Sequence, residues 1–276
     1  MGRRRLRKQI ISLTVCAILS IAAAVVIVNV TRVNESSLVV GTAIPYPPFE
    51  YNHVNPSGGV SVGGFDIDLA TYVAQQSGYQ NITVKVMPIN QLVPALDSGQ
   101  IDLIASGFSL NYTEDPSVAY SVPYWEASQS LVVRSEGSFH PTGSQDLVGR
   151  NIAAIDLISQ RRLVKTELYT VVGVTNNVSV CFNTNEPCVY RYTSLTLALA
   201  DLQTGRLDGV VIDTPVAYAL TSLFRVSFAF KFYDGPKYAF VVRKNHTRLL
   251  SLINNALSAF IGTPDWDEMV YANFRS

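Results

Sequence analysis

Short apolar runs bounded by turn residues recur along the chain and predict buried strands. They are Leu38-Val39-Val40-Gly41-Thr42, Thr83 to Met87, Ile101 to Ala105, Leu131-Val132-Val133, Asn151 to Ile155, Leu207 to Ile212 and Tyr238 to Val242. Between them lie stretches of helical period. One starts at Gly64-Phe65-Asp66-Ile67-Asp68-Leu69-Ala70, with acidic residues in its first turn, and stops at Gly78. Others are Asn90 to Leu96, Ser159 to Leu168, Ser194 to Leu202, a helix opened by Asp213-Thr214-Pro215, Leu249 to Phe260, and Trp266 to Phe274. Strands alternating with helices imply an α/β protein with parallel sheets covered by helices.

Three segments depart from that rhythm. Pro45-Tyr46-Pro47-Pro48-Phe49 is excluded from helix and central strand by its prolines, so it is a stiff loop that presents aromatics. Asn55 to Gly64, rich in Gly, Ser and Pro, predicts a hairpin or mobile loop. Ile101 to Tyr124 passes from an apolar run through a polar Ser/Asn/Thr/Glu turn to Pro123-Tyr124. A strand ending on free N–H groups and hydroxyls ahead of a helix start is a cradle for a small polar ligand, and Asn111 or Thr113 would cap that helix.

The N-terminus has a pattern of its own. Ile10 to Val28 are 19 uncharged, mostly apolar residues, a length that as a helix rises about 28 Å and spans a hydrocarbon core. Arg3, Arg4, Arg5, Arg7 and Lys8 in front of it keep the N-terminus cytoplasmic. An uncleaved anchor and a signal peptide cut after Ala22-Ala23-Ala24 both satisfy this pattern. On either reading the chain after about residue 35 is extracytoplasmic, membrane-anchored or secreted.

Composition adds two exclusions. Formal charge is zero over the 276 residues, and without the five basic residues of the N-terminus the balance is 16 basic against 21 acidic, or −5. That disfavours nucleic acid as a partner. The three histidines, His53, His140 and His246, form no metal-ligand spacing with the cysteines, so no metal or cofactor is expected. Cys181 and Cys188 lie in a polar segment where an oxidising compartment would close them into a disulfide. Sequons begin at Asn29, Asn34, Asn81, Asn111, Asn177 and Asn245, as expected of a glycosylated surface.

Eight motifs in order resemble the family 3 extracellular solute-binding proteins. They are Tyr46-Pro47-Pro48-Phe49-Glu50, Gly64-Phe65-Asp66-Ile67-Asp68-Leu69, Leu92-Val93-Pro94-Ala95-Leu96, Gly99-Gln100-Ile101-Asp102-Leu103, Tyr120-Ser121-Val122-Pro123-Tyr124, Gly205-Arg206-Leu207-Asp208, Tyr238-Ala239-Phe240-Val241-Val242-Arg243-Lys244 and Trp266-Asp267. The resemblance implies a two-lobe, type II periplasmic-binding-protein-like fold with a double hinge, following an N-terminal tail, anchor or signal and linker (1–35). Lobe 1 would comprise 36–124 and 238–276, and lobe 2 would be 125–237. The implied function is capture of a small polar solute, an amino acid or amine, in the interlobe cleft by a monomer that passes it to an ABC transporter permease.

By the same resemblance Tyr46 packs on the ligand, Ile89 lines the site, and Gly107 and Ser109 offer hydrogen bonds. Asp213 pairs with a ligand ammonium. Glu114 stands where amino-acid-binding members carry the arginine that forks onto the ligand carboxylate, and it would repel that group. Two readings of Glu114 follow: it selects a cationic solute together with Asp213, or it sits in the first turn of a helix beside the dipole and never meets ligand. Arg161 and Arg162 are candidates to restore a carboxylate site from lobe 2. The rival function is an enzyme on this scaffold, a dehydratase of cyclic carboxylates with Glu114 as general acid. A further alternative is the sensor partner of a separate signalling protein.

Overall fold

The computed structural model describes residues 37–54, 58–110, 113, 115–155, 171–174, 186–192, 194–232, 235 and 237–275. Ile10 to Val28, the sequons at Asn29, Asn34, Asn111 and Asn177, and the helix expected at Ser159 to Leu168 lie outside the described residues. Asn81 and Asn245 are exposed. No helix among the described residues is long and apolar enough to cross a membrane.

Residues Ser37–Ser276 form one compact unit built on two main sheets. In the first, β1 (Ser37–Thr42) buries Leu38 and Val40 completely and lies between parallel strands β4 (Asn81–Val86) and β5 (Leu103–Ile104). The chain reaches β4 through the hairpin β2 (Tyr51–Val54) and β3 (Val60–Gly63) and helix α1 (Phe65–Gln76). It reaches β5 through α2 (Ile89–Asp97). Because β4 and β5 fall on opposite sides of β1, the C-terminal end of β1 is a switch point, where loops diverge and leave a crevice. Two antiparallel strands, β15 (Val241–Arg243) and β6 (Val118–Tyr120), complete the sheet.

The second sheet has the order β10 (Val171–Val174), β11 (Cys188–Tyr192), β9 (Asn151–Ile155), β12 (Gly209–Asp213), β8 (Gln129–Arg134) and β13 (Val226–Lys231). Helix α3 (Leu195–Gln203) carries the chain from β11 over β9 to β12, and α4 (Thr214–Leu223) leaves the end of β12. A second switch point therefore sits at β9 and β12, and it faces the crevice through Asp213. Two short strands, β7 (Trp125–Glu126) and β14 (Lys237–Tyr238), pair antiparallel where the chain crosses between the sheets.

Helices α5 (Thr247–Phe260) and α6 (Pro264–Phe274) return to the first half. On α5 the buried positions Leu249, Ile253, Ala256, Leu257 and Phe260 recur at helical spacing on one face. Phe274, in the last turn of α6, stacks on Trp125 with ring centroids 4.5 Å apart. Phe49 and Phe65 meet that pair edge-on, and each fully buried aromatic contributes about 1.5–3 kcal/mol of burial.

Three local expectations are corrected. The apolar run Tyr238 to Val242 splits into β14 and β15, because Tyr238 pairs with Trp125 at the crossing while Val241 pairs with Tyr120 in the sheet. Ile101 to Ala105 narrows to a two-residue strand. The polar turn after it opens no helix among the described residues. Instead Thr113 Oγ1 accepts from the Asp115 amide, Asp115 Oδ1 accepts from the Ser117 amide, and the chain enters β6. Side chains that cap helices also close these short turns, and here the pairing of β6 with β15 prevails.

Candidate functional site

The proline loop after β1 folds on itself. The Tyr46 amide donates to Glu50 O at 2.7 Å, and the Phe49 amide donates to Tyr46 O. Tyr46 thereby stacks on Phe49, 29° from parallel, and its hydroxyl reaches across to the second half of the molecule. It donates to Asp213 Oδ2 at 2.5 Å. Tyr238 donates to the same oxygen, and Gln129 Nε2 donates to Oδ1. Asp213 is wholly buried, and its side chain makes no cap bond to α4 although it occupies the cap position. Its neighbour Thr214 is tied to the crossing segment by its amide to Ser128 O and by hydroxyl contacts with Ser128 and Ser130.

Two more buried carboxylates lie behind Tyr46. Asp66, in the first turn of α1, accepts the Gly107 amide at 2.6 Å and the Tyr124 hydroxyl at 2.7 Å on Oδ2. Glu50 accepts from Ser106 Oγ at 3.0 Å, and Ser106 Oγ in turn accepts from the Ala43 amide. Gly64 permits the approach of α1: its φ is +117°, and a Cβ there would lie 2.4 Å from Phe49 O.

No arginine, lysine or histidine among the described residues pairs with Glu50, Asp66 or Asp213. Burial therefore dominates their titration. It lifts Asp213 from 3.8 to about 7 against the opposing Tyr46 hydrogen bond. It lifts Asp66 to about 7 against those from Gly107 and Tyr124. Glu50 is raised well above its ordinary range by burial and then by the Asp66 charge. Tyr46 is raised well above 10 by burial, then by the Asp213 charge. Glu50 Oε2, Asp66 Oδ1, Ser109 Oγ and Gln129 Oε1 are enclosed without a hydrogen-bond partner among the described residues. The result is a buried acidic hub held by neutral donors, with hydrogen-bonding capacity to spare.

Of the site residues predicted from sequence, the structure brings Tyr46 and Asp213 into direct contact. Gly107 packs beside them, with its Cβ position 3.1 Å from the Tyr46 ring, but its amide is engaged by Asp66. Ser109 is buried and bridges to Tyr238. Ile89 is half-buried at the start of α2 and packs on the neighbouring core. Glu114, Arg161, Arg162 and Cys181 lie outside the described residues, and Cys188 is buried at the start of β11. Sequence reasoning missed Gln129, Tyr238, Glu50, Asp66 and Ser106 as members of the hub. A polar Gln beside the apolar run of β8 was the available signal for the first.

Two α/β lobes linked by two crossing strands, with polar groups from both converging at their switch points, define a cleft-type binding protein. The chain belongs to the bacterial extracellular solute-binding proteins, family 3, whose pattern it matches over residues 38–275. It is 28% identical over 225 residues to ABC transporter arginine-binding protein 1 of Escherichia coli, spanning 79% of this chain and 83% of that one. It is 26% identical over 220 residues to a probable histidine-binding protein of Neisseria gonorrhoeae, spanning 78% and 75%. A mutant of ArgBP from T. maritima superposes with a TM-score of 0.69 at 29% identity, over 87% of this chain and 96% of that one. The family is one of non-enzymatic solute-binding proteins, so the dehydratase reading is set aside.

Proposed function

We propose that this chain captures a small solute bearing a positive charge, an amino acid or amine, between its lobes and delivers it to an ABC importer. The observation that carries the reading is Asp213: a fully buried carboxylate at the C-terminal end of β12, contacted by neutral donors from both lobes. A cation entering beside it restores the charge balance that the fold leaves open. Relatives named for arginine and histidine binding support the same class of solute. Tyr46, Ile89, Gly107 and Ser109 form the lobe 1 wall in this reading, with Glu114 adding a second acid. Arg161 and Arg162 answer the solute's carboxylate.

Closure is differential binding, since a solute touching both lobes stabilises the shut arrangement alone. Lobe 1 is assigned to 36–124 and 238–276, and lobe 2 to 125–237. An N-terminal anchor or cleaved signal places the protein outside the cytoplasm as a monomer. A Cys181–Cys188 bridge, supported by the burial of Cys188 and the short spacing, and sugars on Asn81 and Asn245 accord with that compartment.

Thermal-shift measurement against arginine, lysine, histidine, glutamine, glutamate and simple amines tests the reading. A ligand at about 100 times its Kd adds roughly 2.7 kcal/mol to stability. Cationic members of the panel are expected to stabilise the chain, and Asp213→Ala to abolish the shift. Stabilisation by glutamate alone, or an undiminished shift in Asp213→Ala, would overturn it.

A further inference from the structure

A concavity lies beside the acidic hub, and none of Tyr46, Ile89, Gly107, Ser109 or Asp213 lines it. It has a volume of about 1290 Å³, above the ~300–1,000 Å³ usual for small-molecule sites. One wall is the rigid proline turn, through Ile44, Pro45, Pro47 and Pro48. A second is the stacked pair of Trp125 and Phe274. A third is made by Tyr218 in the middle of α4 and by Leu223 and Phe224 at its end, exposed by 54%, 64% and 43%. Apolar side chains this exposed are ordinary when scattered, but these converge on one hollow together with two aromatic rings.

Among its described lining residues only Glu126 and Arg275 carry charge. Glu126 is paired with Lys237 at 3.3 Å. Arg275 has no carboxylate partner among the described residues; its guanidinium lies 5.0 Å from the centre of its neighbour Tyr271's ring. Among the described residues the net unanswered charge at this rim is therefore positive, opposite in sign to the hub. A planar guanidinium at the mouth of an apolar hollow suits a carboxylate whose body is apolar or aromatic.

We propose that this hollow is a second ligand site, taking a small amphipathic carboxylate with an aromatic or alkyl body. The body lies against Trp125, the prolines and Phe224, and the carboxylate meets Arg275. The hollow touches the first half, the crossing segment and α4 at once, so an occupant bears on the same interlobe geometry as the solute in the cleft.

Calorimetric titration of the full chain with 3-phenylpropionate and with the neutral 3-phenylpropanamide tests this, since the two share a body and differ in charge. Saturable binding of the acid is expected, with the amide weaker by about tenfold, the scale of one ion pair of 1.4 kcal/mol. Arg275→Gln is expected to remove that preference and Arg275→Glu to reverse it. Phe224→Ser is expected to weaken both probes. Arg275→Gln leaves the response to cationic amino acids at the hub unchanged. Absence of saturable binding of the acid, equal binding of acid and amide to the natural chain, or an affinity that neither Arg275→Gln nor Phe224→Ser alters would overturn the proposal.

Discussion

Strand β12 carries an aspartate at each end, and the two are held in opposite ways. Asp208, just before the strand, is half-buried, accepts the Asn151 amide at 2.8 Å and pairs with Arg150 at 3.6 Å. Asp102, at the corresponding end of β5, is likewise paired with Arg243 at 3.2 Å. Asp213, five residues along from Asp208, is deeper, yet its donors are two tyrosines and a glutamine. Charge is neutralised at the N-terminal ends of both strands and left open at the C-terminal end of β12. An isolated stabilising role would favour the reverse, since uncompensated burial is the costly case. The difference is what the proposed capture of a cation beside Asp213 requires.

The pH dependence of stability probes that contrast most strongly. Asp213 holds its proton more tightly folded than unfolded, so its contribution is intact below 3.8 and is lost as pH rises to about 7. The shift corresponds to about 4 kcal/mol at full ionisation. Urea unfolding of the natural chain and Asp213→Asn from pH 4 to 8 should show the natural chain losing ground to the variant across that window, then running parallel. A constant difference would mean that Asp213 does not titrate there.

Next in size is the loss of the hub's hydrogen bonds. At pH 5, Asp213→Ala leaves Tyr46, Tyr238 and Gln129 without their acceptor and is expected to cost about 3 kcal/mol, whereas Tyr238→Phe costs about 1. Equal costs for the two would show that Tyr238 alone carries the link. The smallest effect belongs to the other end of β12. Asp208→Asn should change unfolding free energy by less than about 1 kcal/mol, with the difference shrinking in high salt. A larger loss would erase the distinction between the two aspartates.

Much of this arrangement was legible beforehand, for identifiable reasons. Runs such as Asn151 to Ile155 and the helical stripe of α5 announce their burial through periodicity. Tyr46 stands out because prolines surround it, and Asp213 because Pro215 marks a helix start beside it. Their shared partners were not legible. Asp213 meets Tyr46 across 167 positions, Gln129 across 84 and Tyr238 across 25, and no local pattern encodes such meetings. The turn at Thr113 to Ser117 was misread because hydroxyl and carboxylate side chains serve helix caps and tight turns alike. Only the strand pairing downstream distinguishes them.

The ring of Phe274 lies nearly flat on the indole of Trp125, 15° from parallel, at the point where the chain crosses from one sheet to the other. Any bending at that crossing slides one ring over the other and changes the surroundings of an intrinsic fluorophore. With Trp266 replaced by Phe, the emission of Trp125 becomes an unlabelled gauge of opening and shutting, readable in real time as solutes are mixed in.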